Sequence, residues 1–120
     1  TDADAPEKIC VAVMRRTRTC AEHYVPGLLD LRVRLDQPPG IAKRYEDEGR
    51  HAMVMLAHEQ FAADWSDQKI SDNCAELAAK PPEEQARIIE PERACLKESD
   101  CEAFTRCDLA NKEARWTTSN

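Results

Sequence analysis

Apolar side chains recur along most of this chain at the spacing of one face of an α-helix. From about Pro6 to Tyr24 they form a continuous stripe, and proline suits the first turn of a helix. We therefore expect a first helix over residues 6–24. The residues of the stripe are Ile9, Val13, Cys20 and Tyr24.

Residues 28–36, with the sequence LLDLRVRLD, have an ambiguous pattern. Apolar residues occupy every second position from Leu29 to Leu35, as in a strand, whereas Leu28, Leu31 and Leu35 also share one face of a helix. The chain contains no convincing partner strand, and an isolated strand leaves its backbone groups unpaired. We therefore expect a short helix. If the segment is a strand, its natural partner is the same strand of a second copy, in a homodimer.

The middle of the chain contains clear turn and capping signals. Residues 36–40, with two prolines and a glycine, predict a rigid turn. A longer helix should follow to about Trp65, and Glu48-Gly49 could interrupt it. Either Ser66 or Ser71 can cap the next helix.

Prolines and a capping box divide the last third of the chain. Pro81-Pro82 ends the preceding helix, and Pro91 suits the first turn of a short one. Ser99 followed by Glu102 has the pattern of a capping box, so we expect Ser99 to cap the last helix.

These elements predict an all-α protein, a disulfide-stapled bundle of four to six helices. With 120 residues the chain fits one domain, 1–120, with frayed ends at 1–5 and 117–120. Aromatic residues make up only 5% of the chain, so the core should consist mainly of aliphatic side chains and cystine.

Six cysteines, none in a C-x-x-C pair, indicate three structural disulfides rather than a zinc or redox site. Disulfides persist in oxidising compartments, which predicts an exported protein. The chain begins without methionine or signal peptide, so we expect a mature form whose export signal has been removed. The cysteines are Cys10, Cys20, Cys74, Cys95, Cys101 and Cys107.

Helix geometry limits the fifteen possible pairings of six cysteines. Cys10 and Cys20 would lie about 15 Å apart along one helix, so each should pair with one of the four later cysteines. Cys101 and Cys107, six residues apart on another helix, cannot pair with each other either. A bond between Cys95 and Cys101 across the Ser99 break stays possible.

The C-terminal segment ACLKESDCEAFTRC, residues 94–107, resembles the cysteine-rich ends of small exported helical proteins of unknown function from myxobacteria. The resemblance covers about a quarter of the chain and brings no known activity. It implies export from a Gram-negative cell to the periplasm, the cell surface or the medium, with a lipid tether as one option.

The charge and hydropathy of the chain argue against two classes of partner. A net charge of −6 does not suit nucleic acid, which requires a basic surface. The one basic cluster, Arg15, Arg16 and Arg18, is too short to change that prediction and should face solvent. No apolar stretch approaches the roughly 20 residues that span a bilayer, so we expect no transmembrane segment.

The densest group of reactive side chains is His51, Met55 and His58, which project from one side of the predicted helix. Imidazole and thioether groups suit copper, and imidazole suits zinc. His51 and His58 are about 10.5 Å apart along a helix axis, however, and cannot bind one ion without a further element. Two-ligand pairs that include Met55 are feasible.

We find no catalytic pattern. His58-Glu59 begins an H-E-x-x-H zinc-protease motif, but Ala62 occupies the position of the second histidine. No serine has the glycine neighbours of a nucleophile elbow, and an even cysteine count leaves no free thiol. With three glycines there is no phosphate-binding loop, and no cofactor is indicated.

The leading hypothesis is therefore an exported, non-catalytic binding or structural module whose partner is a protein or a small apolar ligand. A cavity lined by Met53, Met55, Phe61 and Trp65 would favour a small ligand, and a solid core would favour a protein. The alternative is a periplasmic metal-binding domain that uses the face of His51, Met55 and His58, and a hydrolase of unfamiliar design is a third hypothesis.

Overall fold

The computed structural model describes residues 5–118, in which seven α-helices follow one another and no strand occurs. The all-α prediction is confirmed, but seven helices exceed the expected four to six. Of the ends predicted to fray, 1–5 and 117–120, residues 1–4 and 119–120 lie outside the described residues, and residues 117–118 belong to the last helix. The helices are α1 (Pro6–Thr19), α2 (Ala21–Leu35), α3 (Ile41–Glu48), α4 (Arg50–Asp64), α5 (Asp67–Ala78), α6 (Pro82–Cys95) and α7 (Cys101–Thr118).

The predicted first helix is wrong at its C-terminal end. It stops at Thr19, and Cys20 has the non-helical dihedral angles φ −96° and ψ 21° before α2 begins. The break is invisible in the hydrophobic pattern because Thr17 before it, Cys20 at it and Tyr24 after it are all buried. A stripe of buried residues therefore continues through a change of helix.

In the ambiguous segment 28–36, residues 28–35 are helical and form the second half of α2; residue 36 follows the helix. The strand alternative, and with it a homodimer paired through that strand, therefore does not apply. Asp36 follows α2 in the left-handed region (φ 51°), and its carboxylate accepts hydrogen bonds from the backbone N–H groups of Gly40 and Ala42. These bonds stabilise the predicted turn.

Gly49 divides the longer helix into α3 and α4, as the Glu48-Gly49 signal predicted. Its φ of +89° lies in a region that residues with a Cβ rarely adopt, so the helix ends there. This division is one reason why the helices outnumber the prediction. At the start of α5, Ser66 is the cap, and its hydroxyl accepts a hydrogen bond from the Lys69 N–H at 3.2 Å.

Two predictions for the last third of the chain are wrong. Pro91 lies inside α6 instead of starting a helix, because the burial of Ile89 and Glu92 on either side of it holds the segment in one helix. Asp100, and not Ser99, caps α7, since its carboxylate accepts the Ala103 N–H at 2.7 Å. A charged acceptor makes the stronger cap at a helix N-terminus.

Three disulfides connect four of the helices. Cys10–Cys74 joins α1 to α5, Cys95–Cys107 joins α6 to α7, and Cys20–Cys101 joins the α1–α2 junction to the start of α7. The pairing agrees with the expectation that Cys10 and Cys20 bond to later cysteines, and the optional Cys95–Cys101 bond is not formed.

The buried side chains form two clusters. The first, in α1, α5, α6 and α7, surrounds the cystines and is called here the disulfide-linked half. The second is centred on Tyr24, Val25 and Phe61, and the region of α2, α3 and α4 (residues 21–65) is called the pocket half. Helix α7 also packs against α2, so it contacts both halves. The first cluster consists of Ile9, Val13, Cys20, Leu77, Ile89, Cys95 and Phe104.

Within residues 5–118, no helix combines the length and apolar character needed to cross a membrane.

Candidate functional site

A pocket of about 600 Å³ lies in the pocket half, between α2, α4 and the start of α3, with one side chain of α7. Small-molecule sites typically measure about 300–1,000 Å³. Four residues were named as the lining that would favour a small ligand, and three of them, Met53, Phe61 and Trp65, line this pocket. The fourth, Met55, is 56% exposed and is not part of the lining.

Helices α2 and α4 form the long walls and run antiparallel. Arg50 at the start of α4 pairs with Asp30 near the end of α2, while Phe61 packs against Tyr24 at the start of α2. Apolar residues of both helices line the space between these ends. Those of α2 are Val25, Leu28 and Leu29, and those of α4 are Met53, Leu56 and Ala57.

Three aromatic rings close one end of the pocket. Tyr24 is fully buried, and its ring centroid lies 5.8 Å from that of Phe61 and 6.1 Å from that of Trp65. Phe61 and Trp65 stack at 4.5 Å. Such contacts add to the stability gained from burial alone. This end of the pocket is therefore its best-packed wall.

Polar groups without partners lie at the same end. Within the described residues, Tyr24 Oη and Trp65 Nε1 are buried and make no hydrogen bond. Lys112 of α7 also lines the pocket here, and its Nζ lies 5.4 Å from the centroid of the Tyr24 ring. Native interiors rarely leave buried polar atoms unpaired, so these groups call for an explanation.

Lys112 belongs to a cluster of charged residues that extends away from the pocket. We call it the buried charge cluster; its members are Glu92, Asp108, Lys112 and Arg115. Lys112 Nζ donates to Asp108 Oδ2 at 2.9 Å, and Asp108 is fully buried. Arg115 Nη1 donates to Glu92 Oε1 at 3.4 Å, and Glu92 is 5% exposed. The other carboxylate oxygens, Glu92 Oε2 and Asp108 Oδ1, have no partner among the described residues if both groups are ionised.

A shared proton explains these two oxygens. Burial, together with hydrogen bonding to Asp108 and the charge of that residue, raises the pKa of Glu92 to about 8. Burial acts in the same direction on Asp108, but hydrogen bonding with Glu92 and the charge of Lys112 outweigh it and lower the pKa of Asp108. At neutral pH Glu92 is therefore mostly protonated and can donate to the Asp108 carboxylate.

Opposing effects also act on the other two titratable groups of this region. Burial would lower the pKa of Lys112, but its interactions with Tyr24, Asp108 and Glu92 raise it, so the side chain stays an ammonium. Burial raises the pKa of the Tyr24 phenol, although the nearby ammonium of Lys112 opposes this. Tyr24 therefore stays a neutral hydrogen-bonding group beside a cation.

Sequence patterns did not reveal the buried charge cluster. The available signal was the position of Glu92, three residues after the buried Ile89, and of Asp108, four residues after the buried Phe104. Both acids therefore occupy apolar stripes of their helices. In a chain with 23 acidic residues this signal is weak, and only the packing of α6 against α7 brings the two together.

The predicted metal ligands lie on α4, where His51 and Met55 are exposed and His58 is half-buried. Among residues 5–118, no three His, Cys, Asp or Glu side chains are grouped so that they could hold a metal ion. Two-ligand binding by His51, Met55 or His58 stays a prediction. The hydrolase hypothesis also stays a prediction.

No protein-family model matches this chain, and no curated protein or solved structure matches it. The resemblance of residues 94–107 to myxobacterial exported proteins stays a prediction.

Proposed function

We propose that this chain is an exported, non-catalytic binding module that takes a small, largely apolar ligand in the pocket of the pocket half. The observation that carries the proposal is the pocket itself. It is about 600 Å³ in volume and lies between apolar walls with three aromatic rings at one end. Concave, mostly apolar sites with a few polar groups are typical of small-molecule binding.

The contrast with the rest of the interior supports this proposal. Protein cores are packed as densely as organic crystals, and large spaces in them are rare. The core of the disulfide-linked half follows this rule, with Cys74, Cys95 and Phe104 fully buried. A second pocket of about 550 Å³ lies between α6 and α7, but no aromatic ring of the described residues lines it. The aromatic end wall, rather than the volume, therefore distinguishes the pocket of the pocket half as a ligand site.

Export is part of the same proposal. Three disulfides connect α1, α5, α6 and α7, and disulfides of this kind persist in the periplasm, at the cell surface or in the medium. In such a place the module would meet small apolar molecules outside the cytoplasm.

The test uses the intrinsic fluorescence of Trp65, which lines the pocket. The chain has two tryptophans, so a Trp116→Phe variant leaves Trp65 as the only reporter. We expect the apolar dye N-phenyl-1-naphthylamine to bind with a micromolar Kd, to quench Trp65 and to gain fluorescence itself. Calorimetry on the unmodified protein should give the same Kd.

A pair of matched variants of α4 tests where the dye binds. Ala57→Phe places a ring in the pocket and should weaken binding by about tenfold or more, which corresponds to about 1.4 kcal/mol. Ala52→Phe adds the same ring at an exposed position outside the lining and should leave the Kd unchanged. If both variants bind the dye as tightly as the unmodified protein, the pocket is not the site and the proposal is wrong.

A further inference from the structure

The lining of the pocket is basic although the chain is acidic. It contains three cations, Arg32, Arg44 and Lys112, and one carboxylate, Asp64, which gives a formal charge of +2 (three minus one). The whole chain has a net charge of −6. Asp64 and Arg44 are both exposed, so water screens their charges more than that of a buried group. Arg44 and Lys112 also pair with carboxylates outside the lining, Glu48 and Asp108, so the preference of the pocket for an anion depends on the surroundings of the buried Lys112.

The polar atoms at the aromatic end all have hydrogen to donate. An ammonium has three N–H donors, and the one hydrogen bond of Lys112 within the described residues goes to Asp108. The indole Nε1 of Trp65 is a donor only, and the phenol of Tyr24 can also donate. Of the lining residues, Tyr24 and Trp65 are the two that carry a buried side-chain atom without a partner in the described chain. A ligand group that accepts several hydrogen bonds would complement this end.

We infer that the pocket takes an amphipathic organic carboxylate, with its acid group at Lys112 beside Tyr24 and Trp65 and its apolar part between α2 and α4. This inference rests on the proposed function, since it names the ligand class of the same pocket. A carboxylate carries two oxygens that can each accept more than one hydrogen bond. One oxygen would bind the Lys112 ammonium, which uses one of its three N–H donors on Asp108. Tyr24 Oη and Trp65 Nε1 have almost no accessible surface, so the ligand would reach them only if their side chains shift on binding.

The protonation of Glu92 keeps Lys112 available for such a ligand. With Glu92 neutral, the buried charge cluster holds two cations, Lys112 and Arg115, and one ionised carboxylate, Asp108. Its formal charge is then +1 (two minus one). With both carboxyl groups ionised, the cluster would be neutral, and its electrostatic attraction for a ligand anion would be weaker.

The cations at the other end of the pocket are less suited to hold the acid group. Arg32 is eight positions after Tyr24 on α2, which places it about 12 Å farther along the helix axis, at the opposite end of the pocket. Its guanidinium lies 5.0 Å from the Trp116 ring centroid, and Arg44 is paired with Glu48. Lys112 is the buried cation, with its side chain 19% exposed, and charge interactions are stronger where water is excluded. The length between the two ends suits an acyl chain or a small ring system.

The experiment compares decanoate with decanol by calorimetry on the full chain at pH 7. The two ligands have the same apolar chain and differ in the head group. We expect decanoate to bind about tenfold or more tightly than decanol. If neither ligand nor the naphthylamine dye binds, the proposed function fails. If decanol binds as tightly as decanoate, the pocket stands as a binding site and the carboxylate inference is overturned.

Variants locate the acid group. The double variant Lys112→Met/Asp108→Asn removes both charges of one ion pair, so neither charge is left buried alone, and it should remove the preference for decanoate. Lys43→Met/Asp47→Asn is the matched control, because this exposed pair of α3 also joins residues four apart and lies outside the lining. It should keep the preference.

Tyr24→Phe is a milder variant in case the double variant does not fold. It keeps the buried ring and removes one hydroxyl, whose nearest charged neighbour is Lys112, so we expect the fold to be kept with a small loss of stability. Its affinity for decanoate should fall several-fold, while that for decanol should not change. If Tyr24→Phe binds decanoate with unchanged affinity, and every folded variant at Lys112 keeps the full preference, the acid group is not at this end and the inference is wrong.

Discussion

The disulfide-linked half and the pocket half are stabilised by different side chains. All six cysteines lie outside residues 21–65, whereas four of the six aromatic residues lie within that range. In the first half, cystines take part in a filled core; in the second, stacked rings form the end wall of a pocket. The four aromatic residues are Tyr24, Tyr45, Phe61 and Trp65.

This difference teaches how a chain with few aromatics can keep an open site. A disulfide stabilises the fold mainly by restricting the unfolded chain, so this contribution does not require tight packing elsewhere in the molecule. Stability supplied by one half allows the other to leave apolar surface uncovered between its helices. The predictions below compare the two halves, starting with the largest expected effect.

The largest effect should come from the disulfide that closes the longest loop. Cys20–Cys101 spans 81 residues and Cys95–Cys107 spans 12. From loop entropy, replacing the first pair with serine should lower the free energy of unfolding by about 4.5 kcal/mol and replacing the second by about 3 kcal/mol. Urea unfolding monitored by circular dichroism measures both.

The order of the two disulfide variants is the decisive result. If the Cys95→Ser/Cys107→Ser variant loses more stability than Cys20→Ser/Cys101→Ser, the disulfides do not act through the unfolded chain. The naphthylamine dye should still bind to the Cys95→Ser/Cys107→Ser variant, because the pocket half carries no disulfide of its own.

The next effect compares one phenylalanine from each half. Phe104 is fully buried among cystines and beneath the Arg16 guanidinium, so Phe104→Ala leaves a cavity that cannot collapse. Phe61 is 8% exposed and borders an existing space. We expect losses of roughly 4–5 kcal/mol for Phe104→Ala and roughly 3 kcal/mol for Phe61→Ala, measured by urea unfolding. A larger loss at Phe61 would mean that the pocket half contains the tighter core.

Most of the fold could be predicted from local signals. The turn at residues 36–40, the interruption at Gly49 and the Ser66 cap each follow from the chemistry of one or two residues, and all three predictions are confirmed. The break at Cys20 and the continuity of α6 through Pro91 could not be predicted, because tertiary packing decides them. A stripe of buried residues shows which face is covered but not whether one helix or two cover it.

The candidate site divides in the same way. Met53, Phe61 and Trp65 lie in α4 or directly after it, and they line the pocket together. Lys112 and Tyr24 lie far apart in sequence and meet only because α7 packs against α2. Local patterns therefore named part of the apolar wall of a possible cavity, and the folded structure was required to show the pocket and its polar end.

The last prediction concerns the charge cluster where α7 connects the two halves. Glu92 faces Asp108, Lys112 and Arg115 of α7 and interacts with Tyr24 of α2. Its pKa is raised from an ordinary value of 4.5 to about 8, so between these two pH values the folded chain holds a proton that the unfolded chain has released. Rising pH therefore favours unfolding in this window.

The free energy of unfolding should fall as the pH rises from about 4.5 to about 8, and Glu92 should cause no further loss above pH 8. Glu92→Gln cannot titrate but can still donate a hydrogen bond to Asp108, so it should flatten this slope. Glu90→Gln, an exposed neighbour on α6, should keep the slope of the unmodified protein. Urea unfolding at intervals across this range measures all three proteins. An unchanged slope in Glu92→Gln would show that Glu92 and Asp108 do not share a proton. The charge argument for an anion at Lys112 would then be wrong as well.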